Sequence, residues 1–258
     1  MNFKFTKYQG ACNDFIIIDD RLEKFDTSDS GLISSLCERR VGVGADGFIL
    51  LRHYEGADFE MIFFNSDGLL GSLCGNGGRC IVDFAHSLNI FEDRCTFMAS
   101  DGLHHAYWCQ DYVSLKMSDV LEVEAIGQDS FLDTGSPHYV KEVNTLNDYN
   151  VFSEGKMIRN SDRFKADGTN VNFVEMIDDT MYIRTFERGV EDETLACGTG
   201  AVASVISMHK KYGGLSSPMK VKARGGDLSV SFTFKDNVYS NISLIGRANV
   251  AFKGELEC

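Results

Sequence analysis

Asn65 to Cys80, NSDGLLGSLCGNGGRC, and Leu195 to Ala201, LACGTGA, decide how this chain is read. In each stretch one cysteine leads a glycine-rich tripeptide, Cys74-Gly75-Asn76-Gly77 and Cys197-Gly198-Thr199-Gly200, and a small-residue apolar segment follows at helical spacing. Each thiol is thereby predicted at a helix start. Unpaired backbone N–H groups and the positive end of the helix dipole stabilise a thiolate there and hold a carboxylate. The repeat of the motif about half a chain later predicts two related halves, with opposed cysteines working on one small anionic substrate.

The outer limits come from composition. The 258 residues, 43% hydrophobic and 24% charged, suffice for one large domain or two of about 100–150 residues. A net charge of −13 argues against nucleic-acid or anionic-membrane partners, which require clustered Lys and Arg. The aliphatic runs, Ile16 to Ile18 and Phe48 to Leu51, fall far short of the ~18 residues that span a bilayer, and no signal-peptide pattern opens the chain, so a cytoplasmic protein is expected. Eight cysteines without a C-x-x-C pair are expected as reduced thiols, Cys258 among them, and the six histidines show no metal-binding spacing, so no metal is expected. Only two prolines occur and no linker composition is visible, which predicts halves packed together.

In chain order, Phe3 to Tyr8 and Phe15 to Asp19 read as strands around the turn QGACND. Asn13 in that turn serves either left-handed turn geometry or a ligand's carboxylate and ammonium groups. Thr27 to Arg40 reads as a helix with Cys37 in the core, and VGVGADG as a tight strand connection, since it lacks the spacing of a nucleotide loop. Phe48 to Arg52 and Asp58 to Phe64 read as strands, the second delivering Asn65 ahead of Cys74. Arg79 to Asn89 follows as a helix with Cys80 buried, and Cys95 to Asp101, Leu103 to Trp108 and Tyr112 to Met117 as antiparallel strands.

The second half repeats this order. FLDTGSPHYV, residues 131–140, stands where the opening strand–turn–strand stood and places His138 toward the same cleft. Val171 to Met176 and Met181 to Phe186 are strands, the latter ending in Glu187-Arg188 shortly before Cys197. AVASVISM, residues 201–208, is apolar on nearly every face and predicts a helix enclosed by sheet. The later strands supply that sheet, the last crossing back onto the first half. The expected fold is α+β: two similar domains, each a curved, mostly antiparallel sheet wrapped around a central helix, with limits at 1–117, joined by 247–258, and 118–246.

An amino acid held between two such helix starts presents its carboxylate to backbone N–H groups and its α-carbon to a sulfur on either side. One sulfur takes the α-proton and the other returns one to the opposite face, inverting the stereocentre without a cofactor. The active form then carries one thiolate and one thiol.

The segments GACNDFIIID, GVGADG, FNSDGLLGSLCGNGGRC, GSPH, GTNVNF and ERGVEDETLACGTGA resemble, in order, the motifs of the diaminopimelate epimerase family, over about three quarters of the chain. The resemblance implies a pyridoxal-independent homodimer that interconverts LL- and meso-diaminopimelate in lysine and peptidoglycan-precursor synthesis. It makes Cys74 and Cys197 the proton acceptor and donor, with roles exchanged between directions. It assigns Asn13, Asn65, Asn170 and Arg188 to the substrate, Gly75-Asn76 and Gly198-Thr199 to its reacting carboxylate, and His138 with Glu187 to support of the thiols or the ammonium group. Cys12, Gly47 and Ser136 depart from the usual pattern, and Cys12 is expected as a packed small hydrophobe. The rival readings are a racemase of another amino acid on the same fold, a dithiol redox protein, and a binding module with merely buried cysteines.

Overall fold

The computed structural model of the chain describes residues 2–257, so the thiol expected at Cys258 lies outside the described residues. The chain divides into two compact units, the first running to Leu115 and resuming at Gly246, the second from Lys116 to Ile245. The first contains β1 (Asn2–Gly10), β2 (Asn13–Asp19), α1 (Ser30–Cys37), β3 (Gly47–Arg52), β4 (Phe59–Asn65), α2 (Gly75–Ser87), β5 (Arg94–Ala99) and β6 (Gly102–Cys109), with β7 (Tyr112–Lys116) at its end. The second contains β8 (Glu124–Ile126), β9 (Asp129–Asp133), β10 (Pro137–Glu142), a 3-10 turn at Leu146–Asp148 and α3 (Val151–Arg159). It continues through β11 (Asn170–Ile177), β12 (Thr180–Glu187), β13 (Asp192–Thr194), α4 (Gly198–Tyr212), β14 (Met219–Ala223), β15 (Gly226–Lys235) and β16 (Val238–Arg247). A final strand, β17 (Asn249–Glu257), pairs antiparallel with β1 and so belongs to the first unit.

The same ladder is built twice. In the first unit β1–β2 is antiparallel, β2–β3 parallel, β3–β4 antiparallel, β4–β5 parallel and β5–β6 antiparallel. The second unit runs β9–β10 antiparallel, β10–β11 parallel, β11–β12 antiparallel, β12–β14 parallel and β14–β15 antiparallel. A parallel pair cannot be closed by a hairpin and needs a long crossover. The crossovers carry α1 and α2 in one unit and α3 and α4 in the other, which makes Cys74 and Cys197 equivalent positions of a duplicated unit.

The runs Phe15-Ile16-Ile17-Ile18 and Phe48-Ile49-Leu50-Leu51 are apolar without alternation because the sheet of the first unit is covered on both faces. Ile16, Ile18, Phe48, Leu50 and Phe64 pack with Ile33, Leu36 and Cys37 of α1. On the other face Phe15, Ile49 and Met61 approach Gly77 of α2 so closely that a Cβ there would sit 3.3–3.4 Å from each. In the second unit Ala201 to Met208 of α4 are all buried, as expected of a segment with no polar face. The α1 helix is shorter than the expected Thr27 to Arg40. Asp29 caps it by accepting the Leu32 N–H at 2.8 Å, and the chain leaves helical geometry at Glu38. The α2 helix begins at Gly75, directly after Cys74 as its glycine-rich opening predicts, and those glycines let it lie directly on the sheet.

A charged cluster ties the turns of the first unit together. Lys7 on β1 is buried and donates to Asp14 Oδ2 at 2.6 Å and to the Gly44 carbonyl. Arg39 bridges Asp14 Oδ1 at 2.6 Å and Asp46 Oδ1 at 2.8 Å. Burial alone would raise the Asp14 carboxyl, but hydrogen bonds from Arg39 and Lys7 outweigh it and hold it at about 2.

Two outcomes follow from these contacts. A Cβ at Gly155 of α3 would lie 2.6 Å from Phe186 Cγ, whereas one at Gly31 of α1 would meet nothing closer than 3.4 Å. Gly155→Ala is therefore expected to destabilise by about 1–3 kcal/mol despite the better helix propensity of alanine, and Gly31→Ala to be neutral or stabilising, read from urea midpoints. The folded-state Asp14 pKa lies below the unfolded value of about 3.9, so its contribution is complete above about pH 4 and is lost as pH falls toward 2. Asp14→Asn is expected to flatten that acid limb of the urea-unfolding profile, and an unaltered slope would contradict the assignment.

Candidate active site

In the first unit the two-residue hairpin turn between β1 and β2 puts positive φ at Ala11 (53°) and Cys12 (61°), the geometry that follows strand twist. Asn13 is thus the first residue of β2 and is not needed for left-handed geometry. Cys12 lies exposed at the turn, which corrects its expected place in the core. Asn13 Nδ2 donates to Asp46 Oδ2 at 2.7 Å, and Asp46 accepts only, so the Asn13 carbonyl oxygen is turned the other way. There it accepts from Cys74 Sγ at 3.4 Å and from Asn76 Nδ2 at 3.3 Å.

Cys74 is half-buried and has extended backbone, and its carbonyl accepts the Gly78 N–H at 2.7 Å, which opens α2. Beneath this first turn Arg79 is fully buried, donating to the Gly75 carbonyl at 3.1 Å and to Asn76 Oδ1 at 2.8 Å. Its charge and the helix start both favour negative charge at this position. Asn65 ends β4 exposed, at a turn closed by its own backbone. Gly47 admits no side chain, because a Cβ would fall 2.5 Å from the Phe63 ring.

In the second unit Cys197 is buried and its carbonyl accepts the Ala201 N–H at 3.0 Å, opening α4. Its sulfur lies 3.5 Å from Thr199 Oγ1. Thr199 Oγ1 is 3.3 Å from Ser136 Oγ, and Ser136 Oγ is 3.0 Å from His138 Nε2. His138 is expected to face the cleft but is fully buried on β10, and the hydroxyls of Ser136 and Thr199 connect it to Cys197. Burial, with the Arg188 charge adding to it, pushes its pKa down to about 3 against a hydrogen bond from Asn172, so the ring is neutral. A Cβ at Gly200 would overlap Asn172 Oδ1, so glycine is required where α4 meets β11.

Asn170 Oδ1 accepts the Arg188 N–H at 2.9 Å, and Arg188 Nη1 donates to the Asp167 carbonyl at 3.0 Å. Glu187 accepts from Thr194 Oγ1 at 2.8 Å, and burial pushes its carboxyl pKa up against that bond. The structure thus joins Asn13, Cys74 and Asn76 in one unit, and Cys197, Thr199, His138, Asn170 and the Arg188 backbone in the other. Gly75 and Gly198 supply the first helical residues, while Glu187 is bound to β13 instead.

Asp46 and Asn172 were not foreseen as site residues. The loop GVGADG, read as a connection, delivers Asp46 to Asn13. The period-two alternation of Asn170, Val171 and Asn172 is the signal that finds Asn172, since both amides then share one face.

These features agree with comparison to known proteins. Residues 5–121 and 130–250 match the family model described as diaminopimelate epimerase. The diaminopimelate epimerase of Flavobacterium psychrophilum is 47% identical over 97% of this chain and 98% of its own length. That of Chlorobaculum tepidum is 42% identical over 96% and 98%. Among solved structures, a Bacillus anthracis phenazine biosynthesis protein of the PhzF family shares the fold at TM-score 0.79 and 12% identity, each chain covered in full. A probable proline racemase from Agrobacterium radiobacter does so at TM-score 0.69 and 13% identity, over 99% of this chain and 93% of that one. With the same cysteine-led helix start built into each of two α+β units, and relatives of this identity over nearly its whole length, the chain belongs to the diaminopimelate epimerase family.

Proposed function

We propose that this chain is an isomerase that interconverts LL- and meso-diaminopimelate without a cofactor or metal, in lysine and peptidoglycan-precursor biosynthesis. The observation that carries the reading is the duplicated placement of Cys74 and Cys197, each immediately before a buried crossover helix. In the reaction one thiolate takes the α-proton and becomes a thiol, leaving the carbon negatively charged. The second thiol gives its proton to the opposite face and becomes the thiolate, so protons and charge balance over the turnover.

An α-proton beside a carboxylate is far less acidic than a thiol, and each unit of mismatch costs about 1.36 kcal/mol. Backbone N–H groups of Gly75, Asn76, Gly198 and Thr199, aimed outward from the helix starts, offset this by holding the carboxylate as it becomes an enediolate. Asn13, fixed by Asp46, orients the reacting amino acid at Cys74. Asn65, Asn170 and Arg188 recognise the distal amino acid end, Asn170 also holding the Arg188 backbone. Glu187 and His138 support the thiols or the ammonium group. The protein is expected to work as a homodimer in the reducing cytoplasm; among the described residues no helix is long and apolar enough to cross a membrane.

Cys74→Ala and Cys197→Ala are each expected to lower turnover of LL-diaminopimelate by about 10³-fold or more, some 4 kcal/mol of transition-state stabilisation. Chiral separation of the isomers after incubation reads this, and near-normal turnover by either variant would end the two-thiol reading. In deuterated water the wild type is expected to exchange the α-proton of diaminopimelate. Exchange with only a monocarboxylic amino acid would transfer the activity to a racemase of another substrate. Because one thiol and one thiolate are needed together, kcat/KM is expected to follow a bell-shaped pH profile, and oxidation to abolish activity until dithiothreitol restores it.

A further inference from the structure

The hydrogen-bond donors around Cys197 can be assigned one by one, because each amide is anchored by a backbone group of fixed polarity. Asn172 Nδ2 lies 3.1 Å from the Tyr139 carbonyl, which only accepts, so Nδ2 is the donor to His138 Nδ1 at 3.0 Å. Thr185 Oγ1 donates to the remaining Asn172 Oδ1 at 2.9 Å. His138 Nδ1 therefore carries the lone pair and Nε2 the hydrogen, which goes to Ser136 Oγ. Asn170 Oδ1 accepts a backbone N–H, that of Arg188, so Asn170 Nδ2 is the donor to Ser136 Oγ at 3.3 Å. Both lone pairs of Ser136 Oγ are thereby filled, and its own hydrogen must go to Thr199 Oγ1. Thr199 then directs its hydrogen at Cys197 Sγ.

We propose that Ser136 and Thr199 are positioning residues at the end of a one-way donor chain, Thr185–Asn172–His138–Ser136–Thr199, which holds a hydroxyl hydrogen on the Cys197 sulfur and favours its thiolate. Every link is buried or partly buried, where such a bond to a charged acceptor is stronger than in water. His138 acts here as a neutral donor and not as a base. The titratable groups at this end of the elements packed against α4 are few. They are Asp133 on β9, held by the Gly135 N–H, His138 on β10, Glu187 on β12 with Arg188 after it, and exposed Asp227 on β15. Only Arg188 among them carries fixed positive charge, and burial pushes the Glu187 carboxyl pKa up, toward its neutral form. The significance for catalysis rests on the two-thiol reading, whereas the donor chain itself does not.

The test is the pH midpoint of alkylation at each cysteine of the full-length protein, followed by iodoacetamide labelling and mass spectrometry. Midpoints report ionisation, whereas absolute rates also report access. Ser136→Ala and Thr199→Val are expected to raise the Cys197 midpoint by about one pH unit, the size of one charge-assisted hydrogen bond, while Thr199→Ser leaves it near wild type. The Cys74 midpoint serves as the control for folding and is expected to hold in all three. A Cys197 midpoint that stays put in Ser136→Ala, or that moves as far in Thr199→Ser as in Thr199→Val, would overturn the proposal. Wild-type turnover of LL-diaminopimelate, assayed on the same preparation, reports on the functional reading alone, so failure of one is separable from failure of the other.

Discussion

A helix buried along its length still ends in backbone N–H groups that no residue of its own can satisfy, and this constraint organises both units. In the second unit the enclosed stretch Ala201 to Met208 carries no charge, and in the first α2 opens on glycines that let it lie against the sheet. Such a helix must begin at the edge of the apolar interior, where its unpaired N–H groups meet polar side chains or a ligand. A cysteine at the residue before that first turn is held next to the positive end of the dipole by the same geometry. Enclosure of the helix and the placing of the cysteine at its start therefore have one structural cause.

The duplicated units share their ladders but not their polar chemistry. Around Cys74 the supports are formal charges. Lys7, Asp14, Arg39 and Asp46 lock the Asn13 amide from one side, and Arg79 lies buried beneath the first turn of α2. Around Cys197 they are neutral amides and hydroxyls ending on Thr199. Sheet order is set by apolar pattern and crossover length, which tolerate wide changes at the polar edge. That freedom lets two copies of one unit present different environments to equivalent thiols.

Much of this was legible from residues alone because the signals are local. Cysteine followed by glycine and a small apolar run identifies a helix start and its buried course, and the aliphatic runs of β2 and β3 report a sheet covered on both faces. The errors were also local in cause. Thr27 to Arg40 has helical periodicity beyond both ends of α1, but the Asp29 cap and the turn after Glu38 shorten it. Cys12 reads as a small hydrophobe, yet the positive φ values of the hairpin turn leave it at the surface.

The sequence by itself determined the class of fold, the duplication and the placement of two cysteines at helix starts, since each depends on periodicity and on residues adjacent in the chain. Only the tertiary structure decided what each polar group does. Asp46 reaches Asn13 from a loop 33 positions away, and Asn172 reaches His138 across 34. Hydrogen bonds have direction as well as partners, and the direction at Cys197 is fixed by the carbonyl of Tyr139 and the N–H of Arg188. Backbone groups look alike in every sequence, so that polarity is set only when the strands are brought side by side.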